Sequence, residues 1–165
     1  TDEYGGSFEN RTRMIIETTK LVRQVWPEHL PLAVRLSASD WVEGGWTVDD
    51  SVELAKILKE LGVDLVDCSS AYVRPGDHYA YGPGWQVPLA EKVRAEAKIA
   101  TAAVGMITDA KQANEIISSG QADIVLLARQ LMRDPYWPYH AAQALEEELG
   151  LKAKSVLPAN YSYAI

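Results

Sequence analysis

The sequence is poor in the residues that build disulfides, metal sites and membrane spans. Its 165 residues include one cysteine, Cys68, so no internal disulfide can form, which is typical of a reducing cytoplasm. The three histidines are scattered along the chain and lack the spacing of metal ligands. No apolar run approaches the roughly 20 residues that span a bilayer, and no signal-peptide pattern opens the chain. We therefore expect a cytoplasmic protein without a metal site.

Positive charge is also scarce, with 16 Lys and Arg residues against 23 Asp and Glu residues and a net charge of -7. A surface for nucleic acid or for an anionic membrane needs a basic face that releases counterions. We therefore expect neither nucleic acid nor a membrane among the partners. A small basic pocket is compatible with this charge, and the length is that of one ordinary domain.

Hydrophobic periodicity predicts one helix followed by four strand–helix units. Ser7 is the expected N-cap of the first helix, which ends at Pro27. The strands are predicted to start near Pro31, Val63, Ile99 and Asp123. A helix is predicted after each strand. The first begins at a capping box formed by Thr47 and Asp50, the second begins near Val87, and the third is capped by Thr108. The last begins at Asp134-Pro135, which supply an N-cap and an N1 proline.

This strict alternation predicts a parallel sheet, either doubly wound and open or part of a (β/α)8 barrel. Four strands alone would leave two hydrophobic edge strands unpaired, so the pattern indicates half of a larger sheet. The chain also opens with Thr1-Asp2-Glu3-Tyr4, without a methionine and within a loop that precedes a helix. We expect an upstream segment that was removed, left unbuilt or supplied by another chain.

Three strand ends carry residues that suit an anionic ligand. Arg35 lies in an apolar strand, where its permanent charge requires an anion or a strong acceptor. That partner is either an acidic residue of a neighbouring strand or a bound ligand. Gly105 follows the third strand and Ala128-Arg129 follow the fourth, an arrangement that favours phosphate binding through backbone N–H groups and a guanidinium.

Long runs of the sequence resemble the old yellow enzyme family. The opening segment Asp2-Glu3-Tyr4-Gly5-Gly6-Ser7-Phe8-Glu9-Asn10-Arg11 is similar to the stretch before the fourth helix of that family's barrel. Val34-Arg35-Leu36-Ser37, Asp67-Cys68-Ser69-Ser70, Val104-Gly105-Met106 and Ala128-Arg129-Gln130 resemble strands five to eight of its thermophilic-like bacterial subgroup. The resemblance implies an α/β fold that is the C-terminal half of a (β/α)8 TIM barrel over residues 1–150, with a C-terminal tail over 151–165.

The resemblance also implies an FMN site. Arg35 would lie against the N1–C2 carbonyl edge of the flavin, while Gly105, Ala128 and Arg129 would hold its phosphate. Ala128 stands where the family often has glycine. The family's carbonyl-binding pair would lie upstream, so no catalytic residue is expected in this chain.

The implied activity is that of an ene-reductase, which passes hydride from NADPH or NADH through FMN to the activated C=C of an enone. The expected partners are this small-molecule substrate, a missing N-terminal half-barrel and further copies of the full enzyme. One alternative is a related flavoenzyme with an iron–sulfur domain, which the single cysteine disfavours. Another is a non-catalytic half-barrel fragment that binds FMN weakly or self-associates.

Overall fold

The computed structural model describes residues 2–71, 73 and 81–150, without the side chains of residues 148 and 149. The elements are α1 (Phe8–Val25), β1 (Ala33–Ser37), α2 (Val48–Glu60), β2 (Leu65–Ser69), α3 (Val87–Ala97), β3 (Ala100–Ala103), α4 (Ala110–Ser118), β4 (Ile124–Val125), α5 (Arg129–Arg133) and α6 (Trp137–Leu149). The four strands form one sheet in the order β1-β2-β3-β4, and every pairing is parallel. The predicted alternation is confirmed. The proposed tail over 151–165 lies outside the described residues.

Local capping chemistry fixes where the first helices begin. The Ser7 side chain accepts a hydrogen bond from the N–H of Asn10 at the start of α1. Thr47 and Asp50 form the predicted capping box at the start of α2, each side chain bonding the other residue's backbone N–H. The N-cap of α4 is Asp109, one residue after the predicted Thr108. The carboxylate of Asp109 accepts the hydrogen bond from the N–H of Gln112.

The predicted start of the last helix at Asp134-Pro135 is wrong. Asp134 instead ends the short helix α5, which the sequence analysis did not predict. Its carboxylate accepts hydrogen bonds from the N–H of Tyr136 at 3.1 Å and pairs with Nδ1 of His140 at 2.7 Å. This local turn uses the group that would have capped the helix, so α6 begins at Trp137.

The sheet has one face packed against helices and one open face. Leu36, Val66 and Cys68 point into the helix-packed core. Arg35 is paired in register with Asp67, Asp67 with Ala102, and Ala102 with Ile124, so their side chains share the opposite face. We call this face the inner face. β1 is not buried on both faces, because it alternates between exposed inner residues and more buried outer ones.

The apolar side chains of α1 are only partly buried. Met14, Leu21 and Val25 are exposed by 65%, 63% and 84%, whereas Ile15 packs against the core. The two fully buried positions of α1 are the threonines Thr12 and Thr19. The helix therefore turns part of its apolar surface away from α2 and the sheet.

The amino ends of the strands are held by two equivalent clusters, which we call the arginine clasps. In the first clasp, Arg23 of α1 donates to the carbonyl oxygen of Gly62 at 2.8 Å and lies 3.7 Å from Asp64. Asp64 in turn accepts from the N–H of Leu32 at 2.7 Å, which joins the entries of β1 and β2.

The second clasp repeats this arrangement one strand pair later. Arg94 of α3 donates to the carbonyl oxygen of Gly120 and holds both carboxylate oxygens of Asp123, each contact being 3.0 Å. Asp123 accepts from the N–H of Thr101 at 2.9 Å. The arginine lowers the pKa of Asp123, so the clasp is charged at neutral pH.

Among the described residues, no helix has both the length and the apolar character to cross a membrane. That same part of the chain contains no cluster of three or more side chains that could hold a metal ion.

Candidate functional site

A pocket of about 200 Å³ opens at the carboxyl ends of β3 and β4. Gly105, Ala128 and Arg129 all line it, so the structure brings these three predicted site residues together. Its other walls are Tyr81, Trp85, Gln86, Val104, Met106, Ile107, Thr108, Leu126, Leu127, Gln130 and Arg133. In a parallel α/β protein this edge of the sheet is where ligands bind.

Gly105 occupies a backbone conformation that suits no other residue. Its φ is +124°, and an added Cβ would lie 3.2 Å from two atoms of the Trp85 indole. The next residue, Met106, has a φ of 53°, which is uncommon for a side-chain-bearing residue. The loop after β3 is therefore strained where it lines the pocket, a feature that clusters at ligand sites.

The helix whose N-terminal residues line the pocket is α5, not α4. Gly105 does not lead directly into a helix, because α4 begins only at Ala110 and is capped by its own Asp109. The short helix α5 begins directly at Arg129, and its N-cap Ala128 has no side chain that could cap it. The first residues of α5, Arg129 and Gln130, line the pocket, and no side chain caps the start of this helix.

Arg129 is one of two arginines that line this pocket, the other being Arg133. Its Nη2 donates a hydrogen bond of 2.9 Å to the hydroxyl of Tyr81. The tyrosine raises the pKa of Arg129 further above its ordinary value, so the guanidinium stays charged. Tyr81 also packs on Trp85, with ring centroids 5.5 Å apart.

Aromatic rings extend from the pocket across the carboxyl edge of the sheet. Trp85 lies 5.9 Å from Trp41, whose Nε1 donates to Ser70 Oγ at 2.9 Å. The buried side chain of Gln86 accepts from the N–H of Ser70 at 2.6 Å. Tyr81 and Trp85 also line the pocket, whereas Tyr72 and Tyr79, which precede them in the same loop, lie outside the described residues.

Arg35 lies on the inner face, away from the pocket lining. Its Nη1 is 2.9 Å from Asp67 Oδ2, and its Nη2 donates to Ser69 Oγ at 3.0 Å. Of the two partners expected for Arg35, an acidic residue of a neighbouring strand or a bound ligand, the acidic residue is present. Even so, 58% of the arginine side chain is exposed. The guanidinium therefore retains surface toward the space above the sheet.

Asp67 is a site residue that the sequence analysis missed. Its side chain is only 13% exposed, and its Oδ1 is buried without a hydrogen-bond partner. Burial raises the pKa of Asp67, and the neighbouring Arg35 opposes that rise. A carboxylate within the apolar run Val63–Cys68 was the available signal, since such a group needs a partner.

Cys68 takes no part in this site. It is buried on the helix side of β2, and burial together with the nearby Asp67 raises the pKa of its thiol to about 12. A thiol with that pKa remains protonated near neutral pH and is inert as a nucleophile.

These features define a parallel α/β protein with an arginine-lined pocket at its strand ends and the exposed guanidinium of Arg35 on the inner face. The chain belongs to the NADH:flavin oxidoreductase / NADH oxidase family, whose model matches residues 1–148. This match confirms the resemblance found in the sequence.

Similar proteins agree with that assignment. The chain is 56% identical to an NADPH dehydrogenase of Geobacillus sp. (strain WCH70) over 144 residues, which are 87% of this chain and 42% of the relative. It is 48% identical to an NADPH dehydrogenase of Bacillus subtilis (strain 168) over 149 residues, which are 90% of this chain and 43% of the relative. The chain thus spans less than half the length of the curated relatives it matches.

Solved structures share the fold. A 2-naphthoyl-CoA reductase in complex with 2-naphthoyl-CoA superposes with a TM-score of 0.77 at 30% identity, covering 87% of this chain and 23% of that one. Histamine dehydrogenase from Rhizobium sp. 4-9 gives a TM-score of 0.71 at 24% identity, covering 89% and 22%, and shows the fold alone.

Proposed function

We propose that this chain is the C-terminal half of an FMN-dependent ene-reductase with a (β/α)8 barrel, comprising about strands five to eight over residues 1–150. The observation that carries the proposal is the joint placement of Gly105, Ala128 and Arg129 around one pocket, on the sheet edge toward which Arg35 reaches. Membership of a flavin oxidoreductase family supports the choice of cofactor.

The donor groups fit FMN at both ends of that elongated molecule. The Arg129 guanidinium and the first N–H groups of α5 suit the dianionic phosphate. The Arg35 guanidinium is held above β2, the strand next to β3 in the sheet. It suits the carbonyl-rich edge of the flavin ring, because a cation favours the negative charge that gathers there on reduction.

When bound, FMN would supply hydride transfer from NADPH or NADH to the activated C=C of an α,β-unsaturated carbonyl compound. The residues of this chain have binding and orienting roles. Arg129 and the backbone near Gly105 fix the phosphate, Arg35 orients the ring, and the Tyr81–Trp85 pair shields the pocket from water.

The catalytic machinery requires more chain than this. The carbonyl-binding pair is proposed to come from an N-terminal half-barrel, which would also cover the inner face. The relatives are more than twice as long as the matched segment, which supports this partner. The complete enzyme is proposed to be a cytoplasmic homo-oligomer.

A second candidate is a non-catalytic half-barrel that binds FMN weakly or self-associates. The observation that favours it is the inner face itself, where Ile124 is 46% exposed on β4, the last strand of the sheet formed by the described residues. Enone reduction separates the two candidates. The 165-residue chain alone should not reduce cyclohexenone, and a longer chain that restores the length of the relatives should.

Titration with FMN and riboflavin tests the cofactor assignment, because riboflavin lacks only the phosphate. In the longer chain, Arg129→Met should weaken FMN binding roughly 10- to 100-fold, since a charge-assisted hydrogen bond contributes about 1.5–3 kcal/mol. Riboflavin affinity should hardly change. Arg13→Met, which removes a guanidinium from α1, is the matched control and should leave both affinities unchanged. Equal losses for both flavins would place Arg129 away from the phosphate and contradict the assignment.

A further inference from the structure

We propose that Asp67 is a positioning residue, which holds Arg35 over the inner face, offsets its charge and so limits how strongly the site favours reduced flavin. This inference rests on the proposed function, because it takes the flavin ring to lie beside Arg35. It assigns a role to a side chain that contacts Arg35 and is not part of the pocket lining.

Two contacts from β2 fix the arginine. Asp67 Oδ2 lies 2.9 Å from Nη1, and Ser69 Oγ accepts from Nη2 at 3.0 Å. Asp67 is the in-register neighbour of Arg35 across the parallel pair, so the contact is set by the sheet itself. The two acceptors lie two residues apart on one strand and hold two different nitrogens of the guanidinium.

The burial of the two partners is unequal, which gives each a different role. Asp67 is 13% exposed and has one oxygen buried without a partner, whereas Arg35 is 58% exposed. The carboxylate therefore depends on the arginine to keep its charge. The arginine, in contrast, has further N–H groups that remain available to a ligand above the sheet.

The electrostatic consequence follows from the sign of each charge. Reduced FMN carries added negative charge near N1 and the C2 carbonyl, and Arg35 stabilises it there. The carboxylate of Asp67 lies directly behind that guanidinium and cancels part of its field. Removing the carboxylate's charge should therefore strengthen the preference for reduced flavin.

Asp67→Asn in the longer, FMN-loaded protein isolates this effect. The asparagine oxygen still accepts from Arg35, but the negative charge is gone. We expect the ratio of affinities for reduced and oxidised FMN to rise about tenfold, which corresponds to a potential about 30 mV more positive. Redox titration and the dissociation constant of oxidised FMN would be measured together. Asp49→Asn, which makes the same charge change on the exposed surface of α2, should leave the potential unchanged.

A double variant tests whether Asp67 acts through Arg35. In an Arg35→Met background the buried carboxyl has lost the charge that keeps it ionised, so adding Asp67→Asn should change the affinity ratio less than twofold. An undiminished effect in that background would overturn the proposal. A potential that stays constant or falls in the single Asp67→Asn variant, with FMN still bound, would also overturn it.

The failure of the proposed function is separately recognisable, because wild-type protein would then bind no FMN. If Asp67→Asn does not fold, Asp67→Ser removes the same charge with a smaller side chain. It is expected to raise the affinity ratio in the same direction, and an unchanged ratio there equally overturns the role of Asp67.

Discussion

The carbonyl oxygen of Gly105 accepts a hydrogen bond of 2.8 Å from the N–H of Gly84. This bond joins the loop after β3 to the turn before α3, so two walls of the pocket are held by main-chain groups. At Gly105 an added Cβ would lie 3.2 Å from the Trp85 indole, which is a tight contact. The shape of the pocket thus depends on a residue without a Cβ.

Gly105→Ala should therefore destabilise the protein by about 1–3 kcal/mol, through both its positive φ and the contact with Trp85. Gly82→Ala is the control, because a Cβ at Gly82 meets nothing within 4 Å and its φ is not positive. Urea unfolding would measure both. Equal, small effects would contradict the strained geometry of the loop.

The inner face should behave differently in the isolated and the longer chain. Ile124 is 46% exposed on β4, and Ile117 is 40% exposed on the outer surface of α4. We expect the isolated chain to self-associate through the inner face, and Ile124→Asp to shift it toward monomer in analytical ultracentrifugation. Ile117→Asp should have little effect.

In the longer chain Ile124→Asp should instead lower the free energy of unfolding by several kcal/mol, because it would bury a charge. Ile117→Asp should cost less than about 1 kcal/mol there. Similar costs for the two variants would argue against coverage of the inner face by an N-terminal half.

The start of α4 provides a test of its cap. Asp109→Ala should cost about 0.5–2 kcal/mol, because Gln112 N–H loses its acceptor. Thr108→Ala should cost less, since the carbonyl of Thr108, which accepts from Trp137 Nε1 at 2.9 Å, is retained in alanine. Thermal unfolding of the two variants would rank them, and the reverse order would restore Thr108 as the cap.

Cys68 should resist modification in the folded protein. Its thiol is buried and has a pKa of about 12, so only a minute fraction is thiolate at pH 8. Mass spectrometry after iodoacetamide treatment should show no adduct under native conditions and one adduct in guanidinium chloride. Rapid native labelling would contradict the burial of β2.

The sequence predicted what depends on neighbours along the chain. The alternation of elements, the Ser7 cap and the Thr47–Asp50 box are short-range patterns, and each is confirmed. The predicted start of α6 at Asp134-Pro135 was wrong, because the Asp134 carboxylate forms a local turn with the N–H of Tyr136 and does not cap the helix.

The contacts that shape the site could not be predicted in this way. Arg35 and Asp67 are 32 residues apart, and Tyr81 and Arg129 are 48 apart. Their meeting depends on strand register and loop path, which no local pattern encodes. The partial exposure of α1 was missed for a similar reason, since burial depends on what packs against the helix.

The arginine clasps have a consequence for how this scaffold tolerates change. They lie at the amino ends of the strands, while every proposed cofactor contact lies toward the carboxyl ends. Loops around the pocket can therefore be exchanged, by evolution or in the laboratory, without changing the arginine clasps that keep the strands aligned. Because the clasp occurs twice, once for β1 and β2 and once for β3 and β4, the four-stranded sheet is built like two copies of a smaller two-stranded unit placed side by side.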